Sequence, residues 1–149
     1  MVEQNMDEKN QNNEVVVRYI SKAYITQIWD KVENYLTDAL LCSVGEYDVY
    51  QLKTLLVYGH HHLLIVEEDN EIKGCCTVVF ESYPNEMIAF VTTFGGYMVT
   101  NEVVWNQFES WCKNNGCTKV RAFTFEPMAK LLEKKFGFEN VYLVVEKQL

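Results

Sequence analysis

The sequence predicts an α/β protein, more narrowly an α+β domain on one mixed sheet with helices on both faces. Strand-type and helix-type patterns alternate in the order β-α-α-β-β-β-α-β-α-β, without a Pro/Gly/Ser-rich linker. Three central strands follow one another directly, which indicates an antiparallel meander. The later strands are separated by helices, which indicates crossovers that place helices on both faces.

Length and composition predict a single domain. The chain has 149 residues, of which 48% are hydrophobic, enough for one core. We expect this domain to span residues 14–149, after a flexible tail over 1–13 that is rich in Asn, Gln and Glu. Without a long apolar run or a signal peptide, the protein is expected to be soluble and intracellular. A net charge of −8 and a pI near 4.9 make it acidic and oppose direct nucleic-acid binding.

The first three elements have distinct signals. Residues 15–20 are rich in β-branched side chains and predict a strand. A long amphipathic helix follows, because apolar residues recur at helical spacing: Ile25, Ile28, Trp29, Val32, Tyr35, Leu36, Ala39 and Leu40. Asp48 and Gln51 form a capping-box pattern that begins a second helix, and Gly59 ends it.

The meander is predicted from three apolar runs. They cover residues 63–66, 74–80 and 87–93. The polar joints at 68–71 and 83–86 have turn-type residues. We therefore expect three antiparallel strands joined by two tight turns.

Two glycines, Gly95 and Gly96, come directly after the meander. Thr100 is predicted to cap the next helix, which Gly116 ends. Glycines between a strand and a helix N-terminus mark the position where a phosphate-binding loop would lie, and a tight turn is the alternative.

The rest of the chain predicts a strand, a helix and a last strand. The strand covers residues 119–125. Pro127 is suited to the first turn of the helix, and Gly137 ends it. The β-branched run at 141–145 predicts the final strand.

The cysteines and histidines have simple interpretations. Five cysteines make an odd count without CxxC spacing, so they are expected to be free thiols. Cys75 and Cys76 fit a buried strand better than a nucleophile. His60–His62 could suggest a metal site, but adjacent residues in an extended segment point to opposite sides. We therefore predict that no metal is bound.

The order of elements and the ending AKLLEKKFGFE, residues 129–139, resemble the GNAT superfamily of N-acetyltransferases over residues 14–149. A narrower set is similar to small GNAT-like proteins encoded by bacteriophages: Trp29, Tyr83-Pro84, Gly95-Gly96, Trp105, Trp111, Gly116-Cys117, Gly137-Phe138 and Glu146-Lys147. The resemblance implies a GNAT-like fold, with acetyl-CoA as the acyl donor in the enzymes. Some of the phage relatives are thought to be virion components.

The resemblance also implies where the coenzyme would bind. The pantetheine arm would pair with the fourth strand near Val91 and Thr93. The pyrophosphate would lie at Gly95, Gly96 and Thr100. The loop departs from the family pattern, because no Gln or Arg precedes it and bulky residues follow the glycines.

The catalytic positions also depart from the family. Counting back from the Gly-Phe pair, Glu133 replaces the usual tyrosine acid and Glu126 replaces the usual asparagine. An ionised carboxylate has no proton to give and repels phosphates. Glu81 and Glu86 are the candidate bases, with solvated turn residues as the alternative, and Tyr97 is the hydroxyl that could replace the acid.

Two functions follow. The favoured hypothesis is a phage-type GNAT-fold protein with a degenerate acetyl-CoA site, serving as a non-catalytic binding or internal, ejection-type virion component. It requires no cofactor, and its partners would be other virion proteins or copies of itself, in the host cytoplasm or in a phage particle. The alternative is an acetyl-CoA-dependent N-acetyltransferase, an acyl-CoA N-acyltransferase acting on an amine of a small molecule or protein.

Overall fold

The computed structural model describes residues 14–99 and 101–149 and contains a five-stranded mixed sheet. The strands lie side by side in chain order: β1 Val15–Ile20, β2 His62–Glu68, β3 Glu71–Tyr83, β4 Glu86–Gly96 and β5 Lys119–Ala122. Strands β1 to β4 are antiparallel and β5 joins β4 in parallel, so the predicted mixed sheet and meander are confirmed. The predicted flexible tail, residues 1–13, lies outside the described residues.

Four α-helices cover the two faces of the sheet, as the sequence predicts: α1 Ile25–Leu40, α2 Val49–Val57, α3 Glu102–Asn114 and α4 Glu126–Phe136. One core lies between the sheet and the first two helices, and it is built around residues such as Trp29, Leu36, Leu52 and Ile65. The other lies under α3 and α4, and it is built around residues such as Leu64, Val78, Trp105 and Phe108. No helix within 14–99 and 101–149 has the length and apolar character to cross a membrane.

Local sequence signals explain several boundaries. The Asp48 carboxylate accepts hydrogen bonds from the Tyr50 and Gln51 amides at 2.9 and 2.8 Å, which confirms the capping box. Asp69 and Asn70 both have positive φ, 53° and 62°, which is the geometry that a two-residue hairpin turn requires. Gly137 ends α4 with a φ of 72°.

The glycine stretch differs from the prediction. Strand β4 continues through Gly95 and Gly96 because β3 provides hydrogen-bonding partners as far as Gly74. A short 3-10 helix, Tyr97–Val99, follows, and Asn101 caps α3 by accepting a hydrogen bond from the Val103 amide at 2.8 Å. The predicted cap, Thr100, lies outside the described residues. The glycines are therefore part of the sheet and not of a loop.

The end of the chain also differs from the prediction. Strand β5 stops at Ala122, three residues early, and the predicted strand at 141–145 is absent from the described sheet. Leu143 and Val145 are 94% and 90% exposed. Strand propensity reflects packing on a sheet surface, and this segment has no neighbouring strand to pack beside.

Helix α3 closes the outer edge of β1. The Gln107 side chain accepts a hydrogen bond from the Val17 amide at 2.8 Å and donates one to the Val15 carbonyl at 2.8 Å. One side chain thus replaces part of a neighbouring strand and satisfies the Val17 amide and the Val15 carbonyl at this edge.

Candidate functional site

The candidate site lies where β4 and β5 separate. Their parallel pairing covers only Ile88–Val91 against Lys119–Ala122. Strand β4 then continues to Gly96, and no described strand pairs with residues 92–96 on the β5 side. This separation leaves backbone groups of β4 available to an extended ligand, in the manner of strand addition.

A β-bulge brings three threonines together at this point. Thr77 pairs with Thr93 and Val78 pairs with Val91, so Thr92 is the extra residue. The bulge places the side chains of Thr92 and Thr93 on the same face of the sheet. The Thr77 hydroxyl oxygen lies 2.6 Å from each of theirs.

Tyr47 and His61 extend these threonines into a larger polar group. His61 Nδ1 lies 3.3 Å from Thr92 Oγ1, and Tyr47, from the segment between α1 and α2, contacts the His61 ring edge-on at 5.6 Å. Tyr47 lies close enough to Thr92 for that side chain to lower the pKa of the Tyr47 hydroxyl. We call Tyr47, His61, Thr77, Thr92 and Thr93 the bulge cluster.

The bulge cluster is uncharged at neutral pH. Burial, with smaller contributions from the neighbouring His62 and His60, lowers the pKa of His61 to about 4. Burial also raises the pKa of Tyr47, against the hydrogen bond from Thr92, which lowers it. The cluster therefore offers neutral hydrogen-bond donors and acceptors, and the His61 ring carries one proton, on one of its two nitrogens, at pH 7.

The glycines have a packing role. A Cβ on Gly95 would lie 3.0 Å from both Cβ and the carbonyl oxygen of Tyr35 on α1. Gly96 has a φ of +60° and lies against the backbone of β3, where a Cβ on Gly74 would be 2.5 Å from the Tyr97 amide nitrogen. Close approach of two strands and a helix accounts for these residues without a phosphate.

The N-terminus of α3 is a poor anion site. The Asn101 side chain already accepts a hydrogen bond from the Val103 amide. Glu102 lies in the first turn, where its charge repels a phosphate that the helix amides would attract. The assignment of Gly95, Gly96 and Thr100 to a coenzyme site remains a prediction.

The structure separates the predicted catalytic residues from the bulge. Glu86 forms an ion pair with Lys119 at 2.6 Å, and Glu81 accepts a hydrogen bond from the Tyr83 hydroxyl at 3.0 Å. Both lie near the turn between β3 and β4. At about 3.3 Å per residue, Glu86 is roughly 20 Å along the strand from Thr92. Tyr97 lies beyond the opposite end of β4 and is 45% exposed.

Val91 and Thr93, the predicted pantetheine contacts, do lie at the separation of the strands. Val91 is 2% exposed and pairs with Ala122, and Thr93 is 5% exposed within the bulge cluster. On α4, the Glu133 side chain is exposed, and Glu126 forms an ion pair with Lys130 at 3.1 Å.

The remaining predicted features are structural. His62 points away from His61 and contacts Phe80, with 4.9 Å between ring centroids, so the predicted opposite orientation is confirmed. Cys75 and Cys76 are buried, and burial raises the pKa of Cys75 to about 12, so its thiol stays protonated. In the described part of the chain, no three His, Cys, Asp or Glu side chains are grouped to hold a metal ion.

Four members of the bulge cluster were not predicted as site residues from the sequence: Tyr47, His61, Thr77 and Thr92. The sequence does contain one signal of the bulge. Two adjacent threonines in an apolar strand interrupt the alternation of side chains between the two faces of the sheet. Which threonine is the extra residue depends on the pairing of two strands, and local sequence does not encode that pairing.

No protein-family model matches the chain, and no curated protein sequence matches it either. Among solved structures, an aminoglycoside N-acetyltransferase in complex with CoA superposes with a TM-score of 0.63 at 15% identity, covering 92% of this chain and 95% of that one. A predicted acetyltransferase with acetyl-CoA from Clostridium acetobutylicum gives 0.60 at 14% identity, with coverage of 91% and 96%.

A transcriptional regulator from Bacillus halodurans is similar as well, with a TM-score of 0.58 at 17% identity, covering 91% of this chain and all of that one. The fold is therefore that of the GNAT acetyltransferases. At these identities the likeness extends to the fold alone, because proteins of different function share it.

Proposed function

We propose that this chain is a GNAT-fold protein with a degenerate coenzyme site that acts as a binding component and not as an acetyltransferase. One observation carries the proposal: Gly95 and Gly96, where the family holds the pyrophosphate, are packed against Tyr35 and β3. The pairing with β3 and the contact with Tyr35 hold these glycines in a strand and not in the loop whose successive amides surround a phosphate. Glu102 and Glu133 add carboxylates where the coenzyme would need cations or a proton donor.

Calorimetry and thermal shift with CoA and acetyl-CoA test this proposal. A ligand that binds only the folded state stabilises it by mass action, about 2.7 kcal/mol at one hundred times its Kd. We expect no shift at millimolar ligand. A clear stabilisation at ~100 μM would contradict the proposal. Free pantetheine is the matched control, since binding of pantetheine without CoA would point to the open backbone of β4 alone.

The resemblance to phage-encoded proteins supports a more specific role as a virion-associated component. In a phage source, we expect peptides of this chain in the mass spectra of purified particles, at a constant ratio to the capsid protein. Recovery only from the soluble lysate of infected cells would count against that role.

The second candidate is an acetyl-CoA-dependent N-acetyltransferase. It is favoured by the β4 backbone at residues 92–96, which no described strand pairs on the β5 side and which lies beside the neutral bulge cluster. There the β4 backbone would hold the acyl carrier, and His61 would accept a hydrogen bond from the acceptor amine. Release of free thiol from acetyl-CoA with a panel of amines tests it, with His61→Ala as the variant. Turnover that depends on His61 would establish the enzyme.

A further inference from the structure

Two cysteines that the candidate site does not use lie at the C-terminal end of α3. Cys112 is in the last turn of the helix and is 2% exposed, and Cys117 comes directly after the helix end and is 7% exposed. Their spacing is not that of a CxxC motif. The backbone that joins them therefore determines whether their sulfur atoms can meet.

The end of α3 is a Schellman motif. Gly116 has a φ of 85°, and its amide donates a hydrogen bond to the Lys113 carbonyl at 3.0 Å. The Cys117 amide donates one to the Cys112 carbonyl, also at 3.0 Å. In this motif the residues at the positions of Cys112 and Cys117 bring their side chains into contact, usually as a hydrophobic pair. Here both of these positions are cysteines.

The same backbone hydrogen bond satisfies the distance condition for a disulfide. With standard bond lengths on either side of it, the Cα atoms of Cys112 and Cys117 are within roughly 7 Å, the largest separation that a disulfide spans. The side chains also interact, because burial, with a smaller contribution from Cys117, raises the pKa of Cys112 to about 12. The two thiols therefore lie close together in the reduced protein.

Cys76 is the competing partner for Cys112. Burial, with smaller contributions from Cys75 and Cys112, raises the pKa of Cys76 well above its ordinary value. However, Cys76 is 0% exposed on β3, which has a neighbouring strand on each side. Helix ends open locally more readily than central strands, so a small oxidant reaches Cys117 first.

We propose that Cys112 and Cys117 are a redox modification site, at which hydrogen peroxide forms a reversible disulfide that fastens the end of α3. The Cys117 sulfur attacks the peroxide, the O–O bond breaks, and a sulfenic acid and one water form. The Cys112 sulfur then attacks the Cys117 sulfur, and the hydroxyl leaves as a second water. Two thiols thus lose two electrons and two protons to one peroxide, and a dithiol reverses the change.

The disulfide lies beside the start of the pairing between β4 and β5. Thr118 follows Cys117, and its amide donates a hydrogen bond to the Met87 carbonyl on β4 at 2.8 Å. Strand β5 begins at the next residue, Lys119, which pairs with Ile88. Oxidation therefore restricts the connection from α3 to β5. The proposal does not depend on coenzyme binding, and the two can fail separately.

Peroxide treatment followed by mass spectrometry tests the proposal in the full chain with Cys42→Ser, which removes the exposed thiol. After alkylation of the remaining thiols, cleavage after lysine and glutamate releases Cys112 in residues 110–113 and Cys117 in residues 114–119. We expect these two peptides to be joined by a disulfide that dithiothreitol reduces. A link from Cys76, or Cys117 carried to the sulfinic acid without a disulfide, would overturn the proposal.

The pH of the peroxide treatment matters. Burial raises the pKa of Cys117, and the thiolate is the reactive form, so oxidation should be slow at pH 7 and faster at pH ~8.5. A chain that stays reduced at both pH values in ~1 mM peroxide would overturn the proposal as well.

Urea unfolding separates this site from general oxidation of the chain. A closed disulfide restricts the unfolded chain, so the oxidised protein should unfold at a higher urea concentration and return to its original midpoint with dithiothreitol. Cys117→Ser, on the Cys42→Ser background, should show no reversible shift. Cys112→Ala is a second variant with the same expectation. An equal reversible shift in either variant would contradict the pairing of Cys112 with Cys117.

Discussion

At one edge of the sheet, the Gln107 side chain hydrogen-bonds outer backbone groups of β1. At the other edge, β5 has no described strand on its outer side, and the apolar C-terminal segment is exposed. Both edges carry the same kinds of unpaired N–H and C=O groups, and an uncovered edge invites pairing with another chain. The closed edge is part of the folding unit. The open edge has no described neighbouring strand.

The largest expected effect on the free energy of unfolding comes from a buried aromatic side chain near β1, compared with an exposed one near β5. Phe108 on α3 is 0% exposed beneath the β1 edge, whereas Phe125 beyond β5 is 52% exposed. Phe108→Ala should lower the free energy of unfolding by about 3–5 kcal/mol because it leaves a cavity. Phe125→Ala, the matched variant, should change it by about 0.5 kcal/mol or less. Urea unfolding measures both, and equal losses would contradict the contrast.

The next effect tests the closed edge directly. Gln107→Ala leaves the Val17 amide and the Val15 carbonyl without their partner, which should cost about 1–3 kcal/mol of stability. Asn106→Ala is the control, because Asn106 is the exposed neighbour on the same helix. Hydrogen exchange of the Val17 amide should accelerate in the Gln107 variant alone. Unchanged exchange would mean that the side chain does not close the edge.

The contrast between the edges also shows what the sequence could predict. The capping box at Asp48, the turn at Asp69 and Asn70, and the helix end at Gly137 are signals complete within a few residues, and the elements they bound were predicted correctly. Two features need information from elsewhere in the chain. The bulge at Thr92 depends on the pairing of β3 and β4, and a strand at 141–145 depends on a neighbour to pair with.

The candidate site was predicted less well for the same reason. Val91 and Thr93 were assigned to the site because they lie on a strand that the pattern of apolar residues predicts. His61 and Tyr47 lie in segments more than 30 residues away from Thr92 in sequence. The local pattern of each segment does not predict that these side chains come together at Thr92. Glu81 and Glu86 are on the same strands but at their far end.

A third, smaller effect is the pH dependence of stability that His61 causes. The folded pKa of His61, about 4, is below its ordinary value of 6.5, so the unfolded state binds a proton more readily. The contribution of His61 to the free energy of unfolding is then fully present above pH 6.5 and is lost as the pH decreases toward 4. His61→Gln should flatten this slope in urea unfolding between pH 7 and 4, whereas His60→Gln should not. If the slope of stability against pH is unchanged in His61→Gln, other titratable groups cause it.

The smallest expected effect is at the open edge. Leu143 is 94% exposed, so Leu143→Ala removes no buried contact within one chain and should change stability by less than about 0.5 kcal/mol at ~1 μM. Leu143→Ala should therefore unfold at the same urea concentration as the parent chain. Leu132→Ala, at a side chain 2% exposed on α4, should lower the free energy of unfolding by about 2–5 kcal/mol. If Leu143→Ala follows the Leu132→Ala pattern instead, the segment is packed within its own chain and β5 is not a free edge.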